Sequence, residues 1–215
     1  MQNKKTILIT GSEGKVGSHI AKKFKEFGWN VAGIDLLDNP SKSGADIYVK
    51  CDVRSSTDMI GAARKIESQC PVDALFTAAG TEITTGFEET KMEDWKNLLN
   101  TVLGGTSNAC AAIAPYMVER KYGKIILLSP DYKWVKEDCI MNAAAARTLY
   151  GFAKSFGVEV AASNVMVNAL SPNLPFDMDA ITAMIYYLAD KDNYTTAQVV
   201  SITGIQQEVQ HGKIQ

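Results

Sequence analysis

The residues best placed for chemistry in this chain form a glycine-rich turn, Thr10-Gly11-Ser12-Glu13-Gly14-Lys15-Val16-Gly17. It follows a short β-rich run and opens a helical pattern, the context in which such a turn holds a phosphate. One glycine permits a tight turn, one lets backbone approach a pyrophosphate, and one lets the helix sit close to the sheet. The free N–H groups at the helix start then offer partial positive charge to an anion. Asp35 closes the next β run, 24 residues after Gly11, where a carboxylate can accept hydrogen bonds from the diol of an adenosine ribose. The same carboxylate repels a 2′-phosphate, so NAD is expected over NADP. Glu13 and Lys15 lie in the turn itself, where either can occupy or adjust the pyrophosphate site.

The elements that must position these residues alternate along the chain. Short β-rich runs at 6–10, 30–35, 47–50, 74–78, 124–129, 165–170 and 199–203 are separated by helical patterns at 16–27, 56–69, 92–121, 141–162 and 177–190. That alternation predicts an α/β fold with a doubly wound parallel sheet. Nearly continuous apolar strands such as 124–128 suit a sheet covered on both faces. Pro172 and Pro175 punctuate the one non-helical connection late in the chain. No repeat, linker or low-complexity tract interrupts the pattern, so a single domain over 1–215 is expected.

Bulk properties narrow the function classes. Of 215 residues, 46% are apolar and 21% charged, an ordinary globular balance that can bury a sizeable core. A net charge of −2 gives no electrostatic case for nucleic acid or an anionic membrane. The lysines of Lys22-Lys23-Phe24-Lys25 read as the solvated face of a helix. No run approaches the 18 or so apolar residues of a membrane span. Residues 1–5 pass directly into a strand-length Ile-Leu-Ile run, too short for a secretion signal, and a cytoplasmic location is expected. Cys51, Cys70, Cys110 and Cys139 lack the spacing of disulfide frameworks or zinc sites and read as reduced thiols. His19 and His211 stand far apart, and no metal site is expected.

From Thr10 onward the chain resembles the short-chain dehydrogenase/reductase family over nearly its whole length. The glycine turn contributes Gly11, Ser12, Glu13, Gly14, Lys15, Val16 and Gly17 to that likeness. Asp52-Val53 is similar to the family's adenine-pocket pair, and Thr77-Ala78-Ala79-Gly80 resembles its Asn-Asn-Ala-Gly turn with both asparagines missing. Asn100, on a helix that resembles the family's long interface helix, matches its structural and catalytic Asn. Ser129 falls at or next to the catalytic Ser, and Val167-Asn168-Ala169-Leu170-Ser171-Pro172 resembles the sixth-strand approach. The resemblance implies a Rossmann-like sheet and a dinucleotide held through Gly11–Gly17, Asp35, Asp52, Val53, Ala79 and Gly80.

The departures from the family are as informative. Alignment on Ser171-Pro172 puts Asn142 where the family carries its Tyr acid/base, and Ala146 where it carries the Lys that tunes that Tyr. An Asn side chain does not titrate, and general acid–base help worth about 10²–10⁴ in rate is lost with it. Tyr150 and Lys154 have the right mutual spacing but sit eight residues on, about 12 Å along the helix and about 80° around it. Pro172-Asn173-Leu174-Pro175-Phe176 lacks the family's nicotinamide-gripping Gly and Thr, and the chain from Pro172 to Tyr194 implies a truncated substrate lobe. The adenosine half of the site survives in the sequence, with NAD bound there or no cofactor at all, while Ser129 and Asn100 read as relics.

The leading expectation is a non-catalytic subunit that assembles with an active paralogue, as in the hetero-oligomeric hydroxyacyl-CoA dehydrogenase of anaerobic toluene degradation. The resemblance places such a heterotetramer's contacts on helices 92–121 and 141–162 and strand 199–203. Two other readings stay open. One is an active NAD-dependent oxidoreductase using Tyr150 and Lys154; the other is an NAD-sensing binding protein.

Overall fold

The computed structural model describes residues 4–132 and 140–203; Cys139 and His211 lie outside them. Seven strands form one parallel sheet: β1 (Thr6–Thr10), β2 (Asn30–Asp35), β3 (Ile47–Lys50), β4 (Ala74–Thr77), β5 (Gly123–Leu128), β6 (Val165–Pro172) and β7 (Gln198–Ile202). Their order is β3-β2-β1-β4-β5-β6-β7. The chain reverses its direction of travel between β1 and β4, and the crevice at such a switch point is where open α/β sheets bind ligands.

Helices cover both faces. They are α1 (Lys15–Glu26), α2 (Ser56–Glu67), α3 (Met92–Leu99), α4 (Gly105–Arg120), α5 (Ile140–Val160) and α6 (Met178–Leu188). Successive strand side chains point to opposite faces, and β1 shows the consequence. Leu8 packs in one core layer with Met59, Ile113 and Leu149, while Ile7 and Ile9 pack in the other with Ile20, Phe24 and Ile185. All of these side chains are buried. Lys124, in β5, is buried as well. Its ammonium donates to the Asn193 carbonyl and lies over the rings of Tyr122 and Tyr194, fastening the turn that precedes β7. Burial pushes its pKa down.

Element boundaries agree with the periodicity within a few residues, with one correction. The helix expected over 92–121 is two helices joined by a π-helical turn, Asn100–Gly104. Gly104 and Gly105 weaken the preference for a regular α-helix there. Gly105 is needed for contact too, since a Cβ on it would stand 2.6 Å from Val53 Cγ2. Five residues of wider turn are too few to disturb a 3.6-residue pattern visibly. From β6 to β7 the chain has only a short connection and α6.

Candidate functional site

The glycine turn stands at the mouth of the switch-point crevice. Gly11 adopts φ +68°, and a Cβ there would fall 2.7 Å from the backbone of Ala79. A Cβ on Gly17 would lie 2.1 Å from the Gly11 carbonyl oxygen, so the start of α1 touches the turn directly. Side chains cap the N-termini of α2 (Ser55) and α6 (Asp177), whereas α1 begins at Gly14 with no side-chain cap. Uncapped N–H groups want an acceptor, and those of α1 face the crevice. Ser12 departs from expectation. It is fully buried, packs against Gly33 and lines neither cavity described below.

On the β2 side of the turn is a cavity of about 440 Å³ lined by Gly11, Glu13, Gly14, Asp35, Asp52, Val53, Ala79 and Gly80, eight of the residues singled out from the sequence. Asp35 is partly committed: Oδ2 accepts the Glu13 N–H at 2.9 Å and Oδ1 accepts the Leu36 N–H at 2.8 Å. A carboxylate has about four lone-pair sites, so acceptor capacity remains. Glu13 does not enter the pyrophosphate position. Its side chain is 2% exposed and turns to the loop after β2, accepting the N–H groups of Ser41, Lys42 and Ser43 at 2.8, 2.7 and 3.1 Å. Burial pushes the Glu13 carboxyl up, but the Ser43 hydroxyl and the three N–H groups outweigh it and lower the pKa to about 2. Asp52 is gripped by Arg54, which also reaches Asn97 Oδ1 at 2.8 Å, and this guanidinium holds the carboxyl below the usual range. Arg54, Asn97 and Thr101 were not singled out from the sequence. Only the packing of α3 against the loop after β3 brings them to one wall.

On the other side of the turn a second cavity, about 250 Å³, runs past Lys15, Val16 and Gly17 toward α5. Asn142 and Ala146 both line it, so the structure puts these two residues beside the glycine turn. Asn142 is 6% exposed, and its amide is spent on the backbone of Ile83. Oδ1 accepts the Ile83 N–H at 2.9 Å and Nδ2 donates to the Ile83 carbonyl at 2.7 Å. That pair of bonds staples the loop after β4 onto α5. Leu98, Val102, Leu128, Pro130, Leu149 and Phe176 supply most of the remaining wall, with Glu82 and Tyr132 among its polar groups.

Several sequence candidates lie elsewhere. Ser129 is fully buried and donates its hydroxyl to the Ala146 carbonyl at 2.7 Å, while the cavity position belongs to Pro130, one step along the chain. Asn100 is exposed on the π-helical turn and lines neither cavity; Val102 lines the second one. Tyr150 and Lys154 line neither. The Tyr150 hydroxyl shares a 2.7 Å hydrogen bond with Ser171 Oγ, and Lys154 is exposed. Among the described residues no group of three His, Cys, Asp or Glu side chains could hold a metal ion, and no helix is long and apolar enough to cross a membrane.

Comparison with known proteins places this geometry in context. A family model described as short chain dehydrogenase matches residues 5–176. An uncharacterized oxidoreductase of Schizosaccharomyces pombe is 28% identical over 170 residues, which take in 78% of this chain but only 66% of that protein's length. The 3-oxoacyl-[acyl-carrier-protein] reductase FabG of Chlamydia trachomatis is 25% identical over 93% of this chain and 96% of its own. Among solved structures, ElxO with NADP bound superposes with a TM-score of 0.83 at 22% identity, covering 93% of this chain and 97% of that one.

Proposed function

This chain belongs to the short-chain dehydrogenase family, and from that premise we propose that it is a non-catalytic subunit which binds NAD in its adenosine-side cavity and assembles with an active paralogue. One observation carries the reading. The cavity beside the glycine turn, where the family's Tyr and Lys would stand, is walled by Val102, Pro130, Ala146, Leu149 and Phe176, and its Asn142 amide is held by two hydrogen bonds to the Ile83 backbone. NAD would supply a hydride acceptor, but neither Asn142 nor Ala146, at the positions of the family's Tyr and Lys, can move the alcohol proton. Tyr150 offers no substitute, because its hydroxyl is engaged with Ser171 away from both cavities.

The residues fit the adenosine and pyrophosphate portions of a dinucleotide. Gly14 keeps the α1 N-terminus free of any side-chain cap, and Asp35 and Asp52 stand at the wall of the larger cavity. ElxO has NADP bound; here the carboxylates favour NAD.

The outward surfaces of α4 and α5 support assembly. Ala111, Pro115, Ala144, Gly151 and Val158 are exposed on them, and a Cβ on Gly151 would meet open space. Small residues let a partner helix approach closely. Among the described residues β7 is an edge strand paired to β6, and its other side would take a partner strand. The partner brings the Ser, Tyr, Lys and substrate lobe, and the likeness to a 3-oxoacyl reductase points to hydroxyacyl or oxoacyl thioesters as its substrate class.

The deciding experiment is native mass spectrometry of this chain co-expressed with the paralogue, alongside a turnover assay of each chain alone. The expected result is a mixed oligomer whose activity disappears when the paralogue's Tyr is replaced. Turnover by this chain alone that vanishes in Tyr150→Phe would reject the proposal, as would two chains that never co-purify.

A further inference from the structure

Glu13 belongs to the phosphate-binding turn, yet its carboxylate serves a different loop. Three successive N–H groups, of Ser41, Lys42 and Ser43, converge on it. Consecutive N–H groups pointing into one concavity form a nest for anions, and here the chain provides its own anion. The Glu13 N–H is bound to Asp35, so the filled nest and the Asp35 carboxylate stand side by side, and both residues line the larger cavity. The loop has further anchors: the Tyr48 hydroxyl on the Leu37 carbonyl, Lys50 on Asp38, and Lys25 on the Gly44 carbonyl. These bonds hold the loop on both sides of residues 41–43 without using Glu13, so the nest is expected to persist in Glu13→Ala.

We propose that Glu13 is a built-in substitute for phosphate, plugging an anion nest at residues 41–43 so that the adenosine-side cavity refuses a dinucleotide phosphorylated on its adenosine ribose. The inference rests on the reading of that cavity as an NAD site. A phosphate carried on the ribose beside Asp35 meets two fixed negative charges, and the N–H groups that would bind it are already taken. In Glu13→Ala one charge disappears and the nest opens, with the exposed Lys42 side chain on the same loop, whereas Glu13→Gln removes the charge but keeps an acceptor in the nest. The carboxyl is held ionised far below neutral pH, so the plug does not release by protonation under ordinary conditions.

The test is calorimetric titration of NAD and NADP into wild type, Glu13→Ala and Glu13→Gln, with folding checked by circular dichroism. The expected result is a shift of at least about tenfold in the NADP-to-NAD affinity ratio toward NADP, the scale of one removed like-charge contact. Glu13→Gln keeps the side-chain volume and an acceptor in the nest, so if Glu13→Ala does not fold it still reads the removed charge through the same ratio. An unchanged ratio in a folded variant overturns the proposal. In parallel, inorganic phosphate is titrated in a thermal-shift assay. Stabilisation of Glu13→Ala but not of wild type supports the plugged nest, and equal response of both overturns it. Wild type that binds neither dinucleotide defeats the NAD reading instead, and the phosphate titration then decides the nest alone.

Discussion

The two cavities share a wall, Gly14 and residues 78–81, yet they are furnished in opposite ways. The one on the β2 side is ringed by fixed charge: Asp35 on the Glu13 N–H, Glu13 in its nest, and Asp52 in the grip of Arg54. The one on the α5 side is mostly apolar, and its buried Asn142 staples a loop through two hydrogen bonds. A site that only holds a ligand needs directional acceptors with spare lone pairs. A site that performs proton transfer needs a titrating group with a free face toward substrate. The first cavity offers such acceptors; in the second, the titrating side chains of Glu82 and Tyr132 are hydrogen-bonded to each other at 3.2 Å. On the proposed reading, binding and chemistry, normally joined along one dinucleotide, part at Gly14.

Substitutions can break or sharpen that contrast. The largest effect is expected where α1 meets the glycine turn. Gly17→Ala would place a Cβ 2.1 Å from the Gly11 carbonyl oxygen, forcing α1 off the turn. A loss of stability of about 3 kcal/mol or more is expected in denaturant titration, together with loss of NAD binding; a near-wild-type midpoint would show that the turn tolerates separation.

On the charged side, Glu13→Gln is expected to cost about 3 kcal/mol at neutral pH, from a carboxyl lowered from 4.5 to about 2. The folded value lies below the unfolded one. The contribution is therefore full above about pH 4.5 and lost as pH falls toward 2. Wild-type and variant stabilities should converge over that window, and parallel curves would remove Glu13 as the cause.

On the apolar side, Asn142→Ala deletes both bonds to Ile83 and leaves a half-buried amide without its partner, for about 2 kcal/mol. Amide hydrogen exchange at Ile83 should rise while NAD affinity stays put. Weaker NAD binding in this variant would mean that the two cavities are coupled.

The smallest effect is expected at Tyr150→Phe. Removing its bond to Ser171 should shift stability by about 1 kcal/mol and leave dinucleotide binding untouched. A large effect on binding would bring Tyr150 back into the site.

Much of this was legible before any coordinates. Alternating runs gave all seven strands in place, because parallel strands buried on both faces read as short apolar runs between amphipathic helices. Gly11, Gly14 and Asp35 stand together at the crevice, since turn and strand end are adjacent in the chain and in the sheet. The adenosine wall was less legible. Arg54 and Asn97 are 43 positions apart, and only the docking of α3 joins them. Glu13 reads from sequence as a turn residue beside a phosphate, yet its carboxylate finds three N–H groups in a loop 28–30 residues away.

What the sequence alone determined is the sheet, the glycine turn and the absence of a Tyr and Lys at 142 and 146. These follow from residue type and local period. What only the tertiary structure decided is which polar side chains face a cavity. A step of one residue along an extended segment reverses the direction of a side chain, so Ser129 is buried against α5 while Pro130 lines the wall. On a helix one step turns a side chain by about 100°, and a π-helical turn shifts the phase again, which leaves Asn100 in solvent and Val102 at the cavity. Such rotations are smaller than the few-residue uncertainty of any boundary read from a pattern, and a site's chemistry depends on them entirely.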